Sequence, residues 1–487
     1  MPVLFAGVAA GQPITSPEQV ALGGGVAYVT GPSVQFYNPA NLMIRDCHRS
    51  TRISLGLGGI YHSDGHDYES LDRFFREAET VFFSGTLPAG REPGGDDLDH
   101  LFAGDEFYRH TIRYDFIPVV VSWHRGESAR SVALRSRGFS SFEINRNWFD
   151  VSDAREQEVF TRQLREQYMV LHELSYSFSR EVTMFNRWHA GLNSLFVGIA
   201  PKIIVGGLHS ETDFRSDYTD MGGRWFSERH LDSRTSGDLS AFLSDVMSQG
   251  DPQRSFDRFL SSRSNFDLNG AGLGLDAGLT YIIPLGDDIA LSPHVNRPPR
   301  KSLRFAISIT DLGAVRYFQD AAEWRSKSDT DITGSLPEAR FLHTGSPGSI
   351  IDYLMSDDEE QRVLDKMEQQ EADSYTIQLP TELHVGSAIQ LNRIAAMLNF
   401  NYRFNSTSFE PDGWYASAGS EIRLLPFLPL RGSIQMNPDR DLSFGVGAGI
   451  DVGILHVSAS ARFFSRDNGE VDWLADTVSA LGLQVRF

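Results

Sequence analysis

The chain has 487 residues, a formal net charge of −20 and 41% hydrophobic residues. It holds no apolar run of about 18 residues, so membrane-spanning helices are excluded, whereas strands with a single apolar face are not. The acidic balance excludes nucleic acid as a partner, because binding it requires clustered positive charge.

Residues 1–10, Met1-Pro-Val-Leu-Phe-Ala-Gly-Val-Ala-Ala10, read as a signal-peptide remnant. Val8-Ala9-Ala10 supplies the small-residue cleavage site. An ordinary buried N-terminal segment would give the same run. Residues 11–50 alternate poorly and precede the first strand, which predicts a segment folded into a barrel lumen as a hatch. Its markers are Gly23, Gly24 and Gly25, whose missing side chains permit unusual backbone angles and close packing. Phe36, Tyr37, Asn38, Pro39 and Ala40 follow, with Asn38-Pro39 reading as a turn. The single cysteine, Cys47, has no disulfide partner within the chain.

Fourteen strands are predicted over 52–62, 111–125, 129–144, 168–182, 187–212, 269–284, 301–316, 374–391, 394–405, 413–425, 428–437, 441–452, 454–465 and 476–487. The fold class is all-β: a transmembrane antiparallel barrel over 51–487, with an even strand number that brings both termini to one side. Long connections at 63–110, 145–167, 213–268 and 317–373 alternate with mostly short ones, 285–300 being the exception, the outer-membrane pattern of long outside and short in the periplasm. Apolar positions from Leu71 to Phe82 recur with helical spacing, and a second helix is expected from Ile350 to Glu371.

The alternation is cleanest near the C-terminus. Leu442, Phe444, Val446, Ala448, Ile450 and Val452 share one phase, against Ser443, Gly445, Gly447, Gly449 and Asp451. Leu455, Val457, Ala459, Ala461 and Phe463 oppose His456, Ser458, Ser460 and Arg462, with Phe464 off pattern. The polar phase places Arg403, Glu421, Arg423, Arg431, Arg462 and Arg486 in the lumen, as a partly paired interior or the lining of a water-filled passage. The basic residues are nearly all arginine, with lysine only at 202, 301, 327 and 366. Arginine's planar fork suits lipid phosphates.

In the glycine cluster 23–25, Phe36-Tyr37-Asn38-Pro39-Ala40-Asn41-Leu42, Thr310-Asp311-Leu312-Gly313 at a strand end, and the terminal Phe487, the chain resembles the long-chain fatty-acid transporter (FadL-like) superfamily of outer-membrane proteins. It looks nearest to that group's uncharacterised members. The resemblance implies fourteen strands, an N-terminal hatch, residence in the bacterial outer membrane with both termini periplasmic, and passive uptake of a hydrophobic small molecule. The superfamily also includes aromatic-hydrocarbon transporters and a shuttle protein of a secretion system.

Other chemistry is sparse. No G-x-S-x-G elbow or phosphate loop occurs. The glycines Gly270, Gly272 and Gly274 have the period of a strand. His62-Ser-Asp-Gly-His66-Asp67 and Asp467-Asn-Gly-Glu470 look like metal clusters at first sight, but read first as polar loop and hairpin turn. The expectation is a non-enzyme without cofactor or metal. Its partners are outer-membrane lipid, a hydrophobic small molecule, and the barrel-assembly machinery through the C-terminal strand and Phe487. The alternative is an outer-membrane adaptor whose extracellular loops bind a secreted or surface protein.

Overall fold

In the computed structural model the period-two alternation becomes two faces of one sheet. The structure describes residues 16–44, 51–64, 106–148, 159–182, 194–220, 225–237, 240, 268–285, 301–326, 331–332, 367–370, 373–405, 413–437, 442–452, 454–464 and 476–486.

The strands are β1 (Thr51–Asp64), β2 (Phe107–Arg125), β3 (Ser128–Asn145), β4 (Val159–Glu181), β5 (Ser194–Asp220), β6 (Trp225–Ser236), β7 (Gly270–Pro284), β8 (Lys301–Tyr317), β9 (Ala322–Ser326), β10 (Asp331–Ile332), β11 (Met367–Gln370), β12 (Tyr375–Gln378), β13 (Glu382–Leu391), β14 (Ile394–Arg403), β15 (Gly413–Leu425), β16 (Leu428–Met436), β17 (Leu442–Asp451), β18 (Leu455–Phe464) and β19 (Asp476–Arg486). Antiparallel pairing runs β1–β2–β3–β4–β5–β7–β8–β13 and onward to β19. There it returns to β1, with Arg52 opposite Arg486, and closes a barrel of 14 staves.

Among the described residues closure pairs each of the 14 staves on both sides, and an apolar outer face completes what a bilayer demands of strands. Leu398, Ile434, Val446 and Leu481 point outward, 62%, 52%, 51% and 66% exposed. Their neighbours Asn399, Ser433, Ser443 and Gln484 are buried on the inner face. Phe464, off pattern in the sequence, also turns inward. It meets Tyr61 edge-on at 5.8 Å, in a cluster with Val20, Val478 and Ala480.

The strands outrun the sequence expectation on one side of the barrel. β4 has 23 residues and β5 has 27. At ~3.3 Å per residue β5 extends roughly 90 Å, far beyond a bilayer crossing of about ten residues. The expected loops 145–167 and 213–268 are therefore strand in part, from Val159 and through Asp220. Residues 225–236 form β6 alongside β5, and β9 to β11 extend this sheet within the expected loop 317–373. The helix expected up to Glu371 is strand at Met367–Gln370; the rest of it, the helix at 71–82, residues 1–10, the 467–470 motif and Phe487 lie outside the described residues.

The expected strand 374–391 is broken. β12 and β13 both pair with β8, and the ladder skips residues 379–381. The skip faces Asp311 and Gly313, at φ 56° and 157°. The Leu379 amide donates to the Gly313 carbonyl (3.0 Å), and the Thr381 hydroxyl to the Asp311 carbonyl (2.9 Å). On its other side β8 slips by one against β7, three steps from Ile309 to Leu312 facing two from Ala277 to Leu275, and such an extra residue bends a strand and redirects its side chains. Here the bulge turns Asp311 into the lumen.

Candidate functional site in the lumen

The N-terminal segment packs on the inner face of the staves and is almost wholly buried. Helix α1 (Pro17–Leu22) starts with the Ser16 hydroxyl accepting from the Gln19 amide and with proline at its first position. It ends at Gly23, whose φ of 69° is the left-handed conformation that glycine adopts freely. Two 3-10 turns follow, Pro32–Phe36 and Pro39–Met43. Asn38 caps the second, its Oδ1 accepting from the Ala40 amide at 3.1 Å.

Polar side chains pin this segment to the wall. The Asn399 carbonyl accepts from the amides of Gly25 (3.0 Å) and Val26 (3.2 Å), and the Ser417 hydroxyl donates to the Gly23 carbonyl (2.6 Å). Asn38 donates to Thr280 (2.9 Å), Ser179 to the Ala40 carbonyl (2.9 Å) and Ser308 to the Tyr37 carbonyl (2.7 Å). The Tyr37 hydroxyl donates to Asn401 (3.3 Å). Because Asn401 Oδ1 also contacts His384 Nδ1 (2.6 Å), that nitrogen carries the proton, and His384 Nε2 accepts from Thr310 (3.0 Å).

Wall glycines give the segment room. A Cβ at Gly198 would stand 2.4 Å from the Ala40 nitrogen, and one at Gly278 2.1 Å from Asn38 Oδ1. At Gly419 and Gly445 it would stand 2.5 and 2.8 Å from the carbonyls of Leu22 and Val20.

The charged pins are ion pairs. Glu421 accepts from Tyr28 (2.8 Å), Arg423 (2.8 Å) and Arg431 (2.8 Å). Glu18 lies 3.7 Å from Arg431 and 3.6 Å from His456. Burial alone would raise the Glu18 carboxyl, but Arg431 and His456 outweigh it and hold it below its usual value. Burial, reinforced by Glu421, pushes the Tyr28 phenol up, so it stays a donor. Arg462 donates to the Val20 carbonyl and to Gln435 (2.7 Å). Arg403 and Tyr415 share Glu382, and Arg486 pairs with Asp451 at 2.7 Å.

A second network fills the lumen between β2 and β8. Arg135 grips Asp115 with two bonds (2.9 and 2.5 Å) and approaches Glu173 at 3.5 Å. Arg137 lies 2.6 Å from Glu173 and grips Asp311 at 2.8 and 3.1 Å. Lys202 lies 2.8 Å from Asp276 and 2.5 Å from Asp311, whose amide donates to Asp276 at 2.7 Å. These groups are buried. β3 and β8 are not neighbours in the barrel, so Arg137–Asp311 bridges the interior.

Residues 48–461 match the family described as "Family of unknown function (DUF5723)". The chain belongs to that family. A search of curated proteins finds no match. Among solved structures, the DUF5723 chain is similar to the P. putida toluene transporter TodX, at 9% identity over 98% of this chain and 99% of that one, with a TM-score of 0.48. It is similar to the Ralstonia pickettii toluene transporter TbuX, at 12% over 97% and 98%, with a TM-score of 0.43. A third is the monoaromatic hydrocarbon channel CymD, at 10% over 97% and 97%, with a TM-score of 0.45. These hydrocarbon channels belong to the superfamily that the sequence resemblance named.

Of the sequence-selected residues, Gly23 to Gly25 and Phe36 to Ala40 lie together in the lumen. Arg403, Glu421, Arg431, Arg462 and Arg486 are buried on the inner face, whereas the Arg423 side chain is 36% exposed. Sequence reasoning missed the network around Asp311. Its trace was Lys202, an isolated charge inside the apolar run Leu195–Ile204. It also missed that inner-face glycines mark where the N-terminal segment lies. Among the described residues no group of three His, Cys, Asp or Glu is placed to hold a metal ion.

Proposed function

We propose that this barrel resides in the bacterial outer membrane, with both termini periplasmic, and that it admits a hydrophobic small molecule passively when the N-terminal segment shifts as a hatch. The observation that carries this reading is the seating of residues 16–44: buried in the lumen, yet held by individual hydrogen bonds and ion pairs to the wall rather than by strand pairing. Side-chain pins contribute about 0.5–1.5 kcal/mol each, so a segment held this way is displaced more easily than a stave. The apolar outer face and the short turns at the rim shared by both barrel ends support the orientation. The likeness to a toluene transporter and a monoaromatic hydrocarbon channel suits an apolar cargo.

The test is toluene entry into vesicles carrying the full chain or a chain lacking residues 11–45. At least a tenfold difference is expected, and equal rates would reject the reading.

A second reading, an anchor for a surface or secreted protein, is favoured by the sheet of β5, β6, β9 and β11 that extends past a bilayer crossing. Replacing residues 221–267 by a short turn should then abolish partner recovery from the cell surface, leaving toluene entry intact.

A further inference from the structure

We infer that the layer around His209, Tyr317 and Tyr375 binds a small neutral ring bearing one hydroxyl group. This rests on the uptake reading and names its cargo more narrowly.

The three rings pack together: His209 to Tyr317 at 4.9 Å, His209 to Tyr375 at 5.4 Å, and Tyr317 stacked on Tyr375 at 5.5 Å. Met169, Leu171, Ile204 and Phe139 belong to the same layer. The β4–β5 register sets it. A bulge between Met169 and Leu171 brings His209 onto the inner face, opposite Met169. Charge bounds the layer on both sides. Arg137 and Lys202 lie on one side with Asp311, and Arg234 lies on the other, 3.7 Å from Glu323.

Among the rings of this layer, two polar atoms are left over. His209 and Tyr317 are both wholly buried. His209 Nδ1 is engaged with the Tyr375 hydroxyl at 2.8 Å, while His209 Nε2 and the Tyr317 hydroxyl have no hydrogen-bond partner among the described residues. Leaving a polar atom buried and unpaired costs about 1–3 kcal/mol, so each one calls for a ligand or another explanation. A ligand that satisfies both atoms recovers that cost. Depending on the tautomer, Nε2 donates or accepts, and a phenol hydroxyl does either. A ligand hydroxyl has the same freedom, so it can pair with either atom whichever tautomer is present. Apolar and aromatic neighbours take the rest of the ring, and Met169 adapts to its outline. A carboxylate or ammonium would enter this layer at the desolvation cost of a buried charge.

The experiment compares p-cresol with toluene, which differ by one hydroxyl, by calorimetric titration of the full-length protein in detergent. The native chain should bind p-cresol roughly tenfold more tightly than toluene. His209→Phe and Tyr317→Phe, each verified as folded by its heat-modifiable gel mobility, should bring p-cresol to the toluene level without changing toluene. Equal binding of the two by the native chain overturns the inference without any variant. So does the absence of p-cresol binding, or a preference that survives in both variants. Hatch-dependent toluene entry with no p-cresol preference would sink this inference alone. Hatch-independent entry would sink the uptake reading while the titration still stands.

Discussion

The two halves of the barrel are built differently. From β13 to β19 the staves have 9 to 13 residues, most with uniform alternation, and the lumen beside them is occupied by the N-terminal segment. From β2 to β8 the strands reach 27 residues, carry extra residues at register shifts in β2, β5 and β8, and enclose a buried charge network. The N-terminal segment is pinned to both halves, through Asn399 and Ser417 in the first and through Ser179, Thr280 and Ser308 in the second. The second half is also tied together by its own charged side chains around Asp311. On the uptake reading, a shift of the N-terminal segment leaves that network in place.

The largest effect should come from the network. Removing one partner of a buried ion pair strands the other charge, at about 3–5 kcal/mol. Asp311→Ala should cost that much in urea unfolding from lipid vesicles. Asp451→Ala, which removes the 20%-exposed partner of the buried Arg486, should cost less, because water reaches that pair from one side. Equal losses would erase the contrast between the halves.

Next comes the lipid face. Leu398→Arg should cost about 2–4 kcal/mol if this position lies near the bilayer midplane, by the same unfolding assay. A neutral result would place β14 away from lipid.

Smaller again is crowding of the hatch. Gly419→Val should force α1 off β15 at about 1–3 kcal/mol and expose residues 16–44 to added protease, while the barrel stays closed in gel mobility. Gly432→Val, whose new Cβ would meet its nearest atom at 3.8 Å, should leave protease resistance unchanged.

The smallest effect is electrostatic. Glu18 has a depressed folded pKa, so its contribution to holding the hatch is complete above its unfolded value and is lost as pH falls through the folded one. Protease access to residues 16–44 should rise at acid pH in the native chain and lose that part of its pH dependence in Glu18→Gln.

This contrast also explains what was legible in the sequence. Where a strand separates lipid from lumen, its two faces meet different media, and Leu398, Phe400 and Tyr402 stand out against Asn399 and Asn401. Beyond the bilayer that difference ends. Ser210, Phe214, Ser216 and Tyr218 are buried on the other face of β5, so apolar and polar residues mix there and the strand reads as loop. The segment inside the lumen was set apart from the staves by failed alternation and by Gly23 to Gly25. Its seat was not, because contacts such as Asn399 to Gly25 join residues 374 apart. The bulge at Asp311 was hidden for the same reason: Thr310-Asp311-Leu312-Gly313 was visible as a motif, but its partners Arg137 and Lys202 lie on distant strands.

The most direct test of the account ties the hatch down. With Cys47→Ser in the background, Ala21→Cys and Gly447→Cys place two thiols where the Ala21 Cβ and a Cβ at position 447 would be 2.6 Å apart, so that a small shift joins them. Toluene entry into vesicles should fall at least tenfold on oxidation and return on reduction. Entry that is the same in the tethered and the reduced protein would contradict the hatch and the uptake reading with it.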